Sequence, residues 1–576
     1  MSSNKNRNDQ YFRERGVAPR KDAGFRANVS IVISKIVLTL HNISPFLAKA
    51  FTRVFYLGRR DRAYMRLYWV FQHRDERLAR RYRNEALQNG AEDAEVIKSA
   101  ALEAYRSGSL RSSAFEAERL LITPRFVKLI GNVRSSLELL QDGFHFIPKA
   151  TSSMEPKPNR GLYFLHNSLP INSGGYATRS HGILTHVNQQ GFEISGVTRL
   201  GFPHDRGKAY ADKSYDVKDN VDGVDYFRLL SKDIGLGKLP IKEYLQANIA
   251  AHMPLIEAER PQILHGASNF INGLTANALA KSFGLISIYE TRGLWEITRM
   301  SREPEYEGTD AFNLYVRMET QASLEADHCF AITQALKSEM VQRGVPAQKI
   351  TVIPNGVDTK RFQPLTRDLE LKSELGFGSD DLIIGYIGSV VDYEGLDYLI
   401  KSMKQLVSRG YKNAKLLIVG DGAVLDDLKE LTRKLRLTRY VHFTGRVPHE
   451  DVERYYSIIE VTPFPRKGYP VCEMVSPLKP FEAMAMEKTI VISDVAAMKE
   501  FVEHGVTGLI IQKDNVDALT DGLISLIDNA DLRKSLGAAA LDYVRKERDW
   551  DIIAARVSKV YAELIKRHTD KPKSQL

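Results

Sequence analysis

The stretch CEMVSPLKPFEAMAMEKTIVIS, Cys472 to Ser493, runs from a stiff loop through a helix into a buried strand. Pro477 and Pro480 stand on either side of Lys479. Proline fixes φ and gives up an N–H that the first helical turn does not use, so the helix is expected to open beside Lys479 and Glu482. TIVIS, residues 489–493, is a short apolar run rich in β-branched residues, the pattern of a strand covered on both faces of a parallel sheet. A helix start of this kind can hold phosphate or ribose, and it can equally be plain punctuation.

The same rhythm of short apolar run, loop and helix recurs along most of the chain. LYFLH (162–166), QILHG (262–266), LISIYE (285–290) and CFAIT (329–333) read as buried parallel strands. VIPNGVDTKRFQP (352–364) interrupts them with turn residues, as a hinge would. The pattern restarts with LIIGYIG (382–388), KLLIVG (415–420), YVHFTG (440–445) and IEVTPF (459–464). The expected architecture is α/β, with two Rossmann-like doubly wound domains over 160–365 and 366–548. A helical basic region, 1–155, precedes them, and MEPKPNRG (154–161) is read as the linker.

With 576 residues, 43% hydrophobic and 26% charged, the chain can build several full cores and is not a disordered protein. Its two cysteines, Cys329 and Cys472, lie far apart without a CxxC pattern, which excludes a disulfide framework and a zinc ribbon and fits a reducing, cytoplasmic setting. The net charge of +10 is concentrated at one end: residues 1–83 hold 19 Lys and Arg against 6 Asp and Glu, and the remaining 493 residues sum to −3. The polar first 28 residues do not have the form of a secretory signal. Val29–Leu40, broken by Lys35, is shorter than the roughly 20 residues needed to cross a bilayer.

Open parallel sheets bind ligands beyond the carboxyl ends of their strands, so residues at those ends are the candidates. Gly174 and Gly175 follow Ser173 just before a helix, where backbone N–H groups and the helix dipole suit an anion. The alternative is a simple strand-to-helix turn. His265 closes QILHG and Arg292 follows LISIYET. A histidine there can face a cleft or serve the core, and Arg292 can face the cleft or form a surface ion pair. GDG at 420–422 lacks the third glycine of a dinucleotide fingerprint, and no GxxxxGK[ST] loop occurs, so NAD binding and a P-loop are set aside. Glu473, Lys479 and Glu482 share one strand-to-strand crossing, carboxylates for sugar or ribose hydroxyls and an ammonium for phosphate, or else helix capping and surface charge.

Together, YFLHNSLPINSGGYATR, VIPNGVD, GYIG, IVGDG, KPFEAMAMEKTIVISD and GVTGLII resemble the retaining glycosyltransferases of the GT-B fold, particularly glycosyltransferase family 4, over about 400 residues. The resemblance implies a donor site in the second domain, an acceptor site mainly in the first, and catalysis in the cleft between. DWDIIAARVSKVYAELIKR, Asp549–Arg567, resembles the family's final helix, which returns to the first domain, and 549–570 is assigned to it.

By the same resemblance, Glu482 matches the second glutamate of the family's pair, expected at the donor ribose. Glu473 is the nearest match to the first, expected near the sugar hydroxyls, with eight intervening residues in place of seven. Gly174 and Gly175 match the loop beneath the donor diphosphate, and His265 matches a histidine that points to the donor sugar. Arg446 and Val447 fall where the nucleotide base is held. After Gly388 the family carries an arginine and then a lysine near the phosphates, whereas this chain has Ser389 and Glu394. The missing positive charge is therefore expected from Lys479.

The implied activity is transfer of a sugar from a nucleotide-sugar to an acceptor hydroxyl in cell-surface polysaccharide or glycan synthesis, with retention and no metal. Two alternatives stay open: a nucleotide-sugar epimerase of the same architecture, and a non-catalytic GT-B scaffold. The acceptor class is a glycan or a lipid-linked glycan. Arginine interleaved with Tyr, Phe and Trp in residues 1–83 suits peripheral contact with anionic lipid at the inner membrane face, or docking to a partner. Nucleic acid is not expected, because the basic excess is terminal and no nucleic-acid-binding motif accompanies it.

Overall fold

The computed structural model describes Thr52 and residues 60–71, 76–88, 90, 94–118, 127–150 and 154–570. Val29–Leu40 and most of the basic excess lie outside the described residues. The chain divides into two compact units, Met1–Val133 and Arg134–Leu576.

In the first unit the helices are Arg60–Phe71, Glu76–Gln88, Ala94–Ser107 and Leu110–Glu118. Tyr64, Leu67, Tyr68 and Phe71 repeat at three- and four-residue intervals, so they form one stripe, which packs on Ala79, Tyr82 and Ala86 of the next helix. Part of the basic character is turned to internal use. Arg80 pairs with Glu103 at 2.7 Å, Arg81 with Glu85 at 3.2 Å, and the buried Arg83 also reaches Glu103. Among the described residues no helix is long and apolar enough to cross a membrane.

The second unit holds two sheets, confirming two parallel α/β folds in series. The first comprises β1 Arg160–Leu165, β2 Glu193–Thr198, β3 Lys218–Val221, β4 Val224–Arg228, β5 Ile263–Ala267, β6 Ile286–Thr291, β7 His328–Ala331 and β8 Ile350–Val352. Their order is β3-β4-β2-β1-β5-β6-β7-β8, and all pairings are parallel except the β3–β4 hairpin. The second comprises β9 Leu382–Ile387, β10 Ala414–Val419, β11 Val441–Gly445, β12 Val461–Phe464, β13 Thr489–Ser493 and β14 Leu509–Ile511, all parallel, in the order β11-β10-β9-β12-β13-β14. The strand order reverses at β1/β5 and at β9/β12, the places where such sheets leave a crevice.

The final helix, Trp550–Thr569, is capped by Asp549 and buries Trp550, Ile553, Ala554, Val557, Tyr561 and Leu564. These join Tyr163, Leu165, Ile183 and Ile288 in the core of the first sheet, so the chain's last element lies on the first of the two α/β folds. Gly182 makes room for it, since a Cβ there would meet the Trp550 ring at 2.5 Å.

Candidate active site

The loops beyond the strand ends enclose a cleft of about 860 Å³. From the first sheet's side it is lined by Asn172–Tyr176, Arg179 and Arg292, and from the second by Gly388, Ser389, Glu394, Arg446 and Val447, Arg466 and Ser476–Lys479 with Glu482. Of the site residues singled out from the sequence, all but His265 and Glu473 therefore share one cavity.

Gly174 precedes the helix Gly175–Gln189, as its glycines predict. Its N–H donates to Asn172 Oδ1 at 2.9 Å, so the loop already folds around an oxygen acceptor. A Cβ on Gly175 would lie 3.5 Å from Leu478, across the cleft. Gly420 and Gly422 owe their identity to packing: a Cβ would come within 1.8 Å of Gly388 O in the first case and 2.2 Å of Val390 O in the second.

The helix Lys479–Ala485 places Pro480 in its first turn. Glu482 is 5% exposed, and Lys479 Nζ stands 3.0 and 3.1 Å from its two carboxylate oxygens. Lys479 is thus matched by a carboxylate and does not stand alone as the replacement charge. Glu394, at the position that differs from the family, faces a cation the sequence reading missed. Arg466, 3% exposed, donates to Glu394 at 3.0 Å and to Val475 O at 2.7 Å. It sits two residues past β12, so the same strand-end rule that selected Arg292 could have found it.

Two expected site residues are placed elsewhere. His265 lies inside β5, two residues short of its end at Ala267, and is 1% exposed. Its Nδ1 is 2.6 Å from the Tyr561 hydroxyl of the final helix, and its ring stacks on Tyr163 at 4.1 Å between centroids. Burial pushes its pKa down to about 3, so it is neutral in the core. Glu473 also lies outside the lining. It accepts the Ala496 N–H at 2.7 Å and pairs with Lys513 at 2.6 Å.

Arg292 faces the cleft but is woven into a buried cluster around Glu290, the penultimate residue of β6. Glu290 accepts from Arg292 Nε at 2.7 Å and from Arg179 Nε and Nη2 at 3.0 and 2.6 Å. Arg179 also donates to the carbonyls of Ile353 and Pro354, at 2.7 Å each, where the chain leaves the first sheet. Asn355, which accepts from Arg179 at 3.0 Å, donates to Ser476 O at 2.8 Å on the far wall. Neither Arg179 nor Glu290 was selected from the sequence, because a helix-interior arginine and a strand glutamate give no local sign of such a partnership.

Residues 173–361 match the model described as Glycosyltransferase Family 4, and residues 368–542 that described as Glycosyl transferases group 1. The capsular polysaccharide biosynthesis glycosyltransferase CapM of Staphylococcus aureus is 29% identical over 293 residues, 50% of this chain and 72% of CapM. The lipopolysaccharide core biosynthesis mannosyltransferase LpsB of Rhizobium meliloti is 30% identical over 224 residues, 38% of this chain and 61% of LpsB. An uncharacterized glycosyltransferase of Methanocaldococcus jannaschii matches at 26% identity over 42% of this chain and 62% of its own length, so the chain spans less than two thirds of several relatives. Among solved structures, the sucrose-phosphate synthase of Thermosynechococcus elongatus aligns with a TM-score of 0.59 at 19% identity, over 71% of this chain and 99% of that one. Anabaena HepE in complex with UDP and glucose aligns at 0.53 and 15%, over 70% and 99%. These alignments establish the shared GT-B fold.

Proposed function

Because the chain belongs to the glycosyltransferases, with a family 4 domain followed by a group 1 domain, we propose that it moves a sugar from a nucleotide-sugar donor to an acceptor hydroxyl, with retention, in cell-surface polysaccharide or glycolipid assembly. The observation that carries this reading is the single cleft that gathers the Gly174–Gly175 loop, Arg446, Lys479 and Glu482 from the ends of two sheets. Support comes from HepE, a protein of this fold solved with UDP and glucose, and from CapM, named for capsular polysaccharide biosynthesis.

In this reading the nearly buried Glu482 accepts hydrogen bonds from the donor ribose, and Lys479, fixed against it, faces the phosphates. The bond from the anomeric carbon to the phosphate oxygen breaks, and negative charge grows on the departing nucleoside diphosphate. The N-terminus of the helix Gly175–Gln189 points partial positive charge at that anion. Preorganised donors of this sort act where charge develops, which is how they lower a barrier. The acceptor attacks from the face the diphosphate leaves, and its proton passes to the leaving phosphate oxygen. No side chain is assigned as nucleophile, and His265 in the core takes no part. Peripheral attachment to anionic membrane through residues 1–83 belongs to the same proposal and suits a lipid-linked acceptor.

The test is a thermal-shift screen of UDP-, GDP-, ADP- and CMP-sugars, followed by assay of free nucleotide released with glycan or lipid extracts as acceptor. One nucleotide class is expected to raise Tm and to be consumed only when acceptor is present. Isomerised free sugar without acceptor, or no stabilisation by any donor, would overturn the proposal.

A further inference from the structure

The charges lining the cleft are matched unevenly. On the second-sheet side each of the two paired cations has its own carboxylate, Arg466 with Glu394 and Lys479 with Glu482. On the glycine-loop side Arg179 and Arg292 share one carboxylate, that of Glu290. Among the described residues no second carboxylate pairs with either guanidinium. His265, 3.9 Å from Glu290, stays neutral, and Tyr163 keeps its proton because burial raises its pKa. One positive charge is therefore in excess, held by side chains exposed by no more than 8%.

A buried charge without a partner is strongly unfavourable unless an anion offsets it. The remaining donors do not remove the excess, since they go to neutral oxygens. Arg292 donates to Tyr176 O at 3.0 Å and Ser180 Oγ at 2.8 Å, both in the helix that starts at Gly175. Arg179 donates to the carbonyls of Ile353 and Pro354 and to the amide oxygen of Asn355. The two arginines are thus fixed against the floor of the glycine loop, and their field adds to that of the helix N-terminus.

We propose that Arg179, Glu290 and Arg292 form a built-in excess of one positive charge that makes the glycine-loop wall select a ligand bearing several negative charges, a diphosphate. Arg179 and Glu290 act as positioning residues, working through Arg292 and the loop. For the nucleotide this rests on the donor reading above, but the anion seat can be tested without one.

Inorganic pyrophosphate and the nucleoside diphosphates UDP and GDP are titrated calorimetrically into the full chain and into two variants. Arg179→Gln brings the cluster to neutrality, and pyrophosphate affinity is expected to fall about tenfold or more. Arg179→Gln/Glu290→Gln restores the excess charge while removing more of the structure, and affinity is expected to return to within about threefold of the wild type. A merely structural cluster predicts the opposite, that losing two members is no better than losing one. If Arg179→Gln fails to fold, the triple variant that also carries Arg292→Gln buries no charge and replaces it as the neutral reference. The proposal is overturned if the neutral and charge-restored variants bind pyrophosphate alike. Wild-type protein that binds pyrophosphate but neither nucleotide removes support for a UDP or GDP donor and leaves the seat standing. Binding of a nucleotide unaffected by neutralising the cluster sinks the seat and leaves the donor reading. Binding of none of these probes overturns the seat and counts against the donor reading.

Discussion

Gly420 shows how one missing side chain shapes the cleft. Its φ of 142° and the 1.8 Å that would separate a Cβ from Gly388 O leave no space for alanine. Gly420→Ala is expected to destabilise the protein by about 1–3 kcal/mol, read from the urea midpoint, and to weaken donor binding by shifting the Gly388 loop. Lys479 makes the complementary case, because its side chain is 31% exposed and, among the described residues, is held by Glu482 alone. Lys479→Ala is expected to leave Tm nearly unchanged and to lower turnover by about 10²–10³. Normal turnover in that variant would remove the lysine from the leaving-group role. At this scale the sequence was legible where a strand's end was obvious. Gly388 and Arg446 follow β9 and β11 directly and do line the cleft. His265 was misplaced because QILHG runs on to Ala267, and two further residues of strand turn a cleft position into a core one.

Among the elements, the final helix was the easiest to foresee. Trp550, Ile553, Ala554, Val557, Tyr561 and Leu564 repeat at helical spacing, and all are buried. Its docking depends on Gly182 and on an indole 3% exposed. Trp550→Ala is expected to cost about 3–5 kcal/mol, and chemical denaturation is the measurement. If the cost were under about 1 kcal/mol, the helix would be an appendage and not part of the first core. Strands β5, β6, β9, β10 and β13 were legible as short, mainly apolar runs because nearly every residue in them is buried. The β3–β4 hairpin at the sheet edge was not, since Lys218, Asp219, Asn220 and Asp225 dilute its apolar pattern with polar residues.

At the scale of the whole molecule, what the sequence could not reveal is the set of partnerships that join distant segments. Thr333 donates to Met474 O at 2.6 Å, and Glu500 accepts the N–H groups of Gln334 and Ala335 at 2.9 Å each, all across more than a hundred residues. Two buried carboxyls in the first sheet's layer are of the same kind. Glu319 accepts the Phe270 N–H at 3.0 Å and the Tyr289 hydroxyl, while Glu296 is held by Arg343 at 2.6 Å. Burial first, and the Glu296 carboxylate second, push the pKa of Glu319 up from 4.5 to about 8. An acid whose pKa is raised by folding holds its proton longer in the native state than in the unfolded one. Its contribution is therefore full below about pH 4.5 and is lost as the pH climbs through 8. The buried histidines 252 and 265, lowered by burial to about 4 and about 3, act in the other direction: their contribution is present above pH 6.5 and lost on acidification. Subtracting the wild-type melting curve from that of Glu319→Gln cancels the histidines. The difference in Tm is expected to become steadily more favourable to the variant from pH 5 to pH 8.5, by about 1 °C for each kcal/mol recovered in a unit of this size. A difference that does not vary with pH would mean that Glu319 is ionised in the native protein and that its shift lies elsewhere.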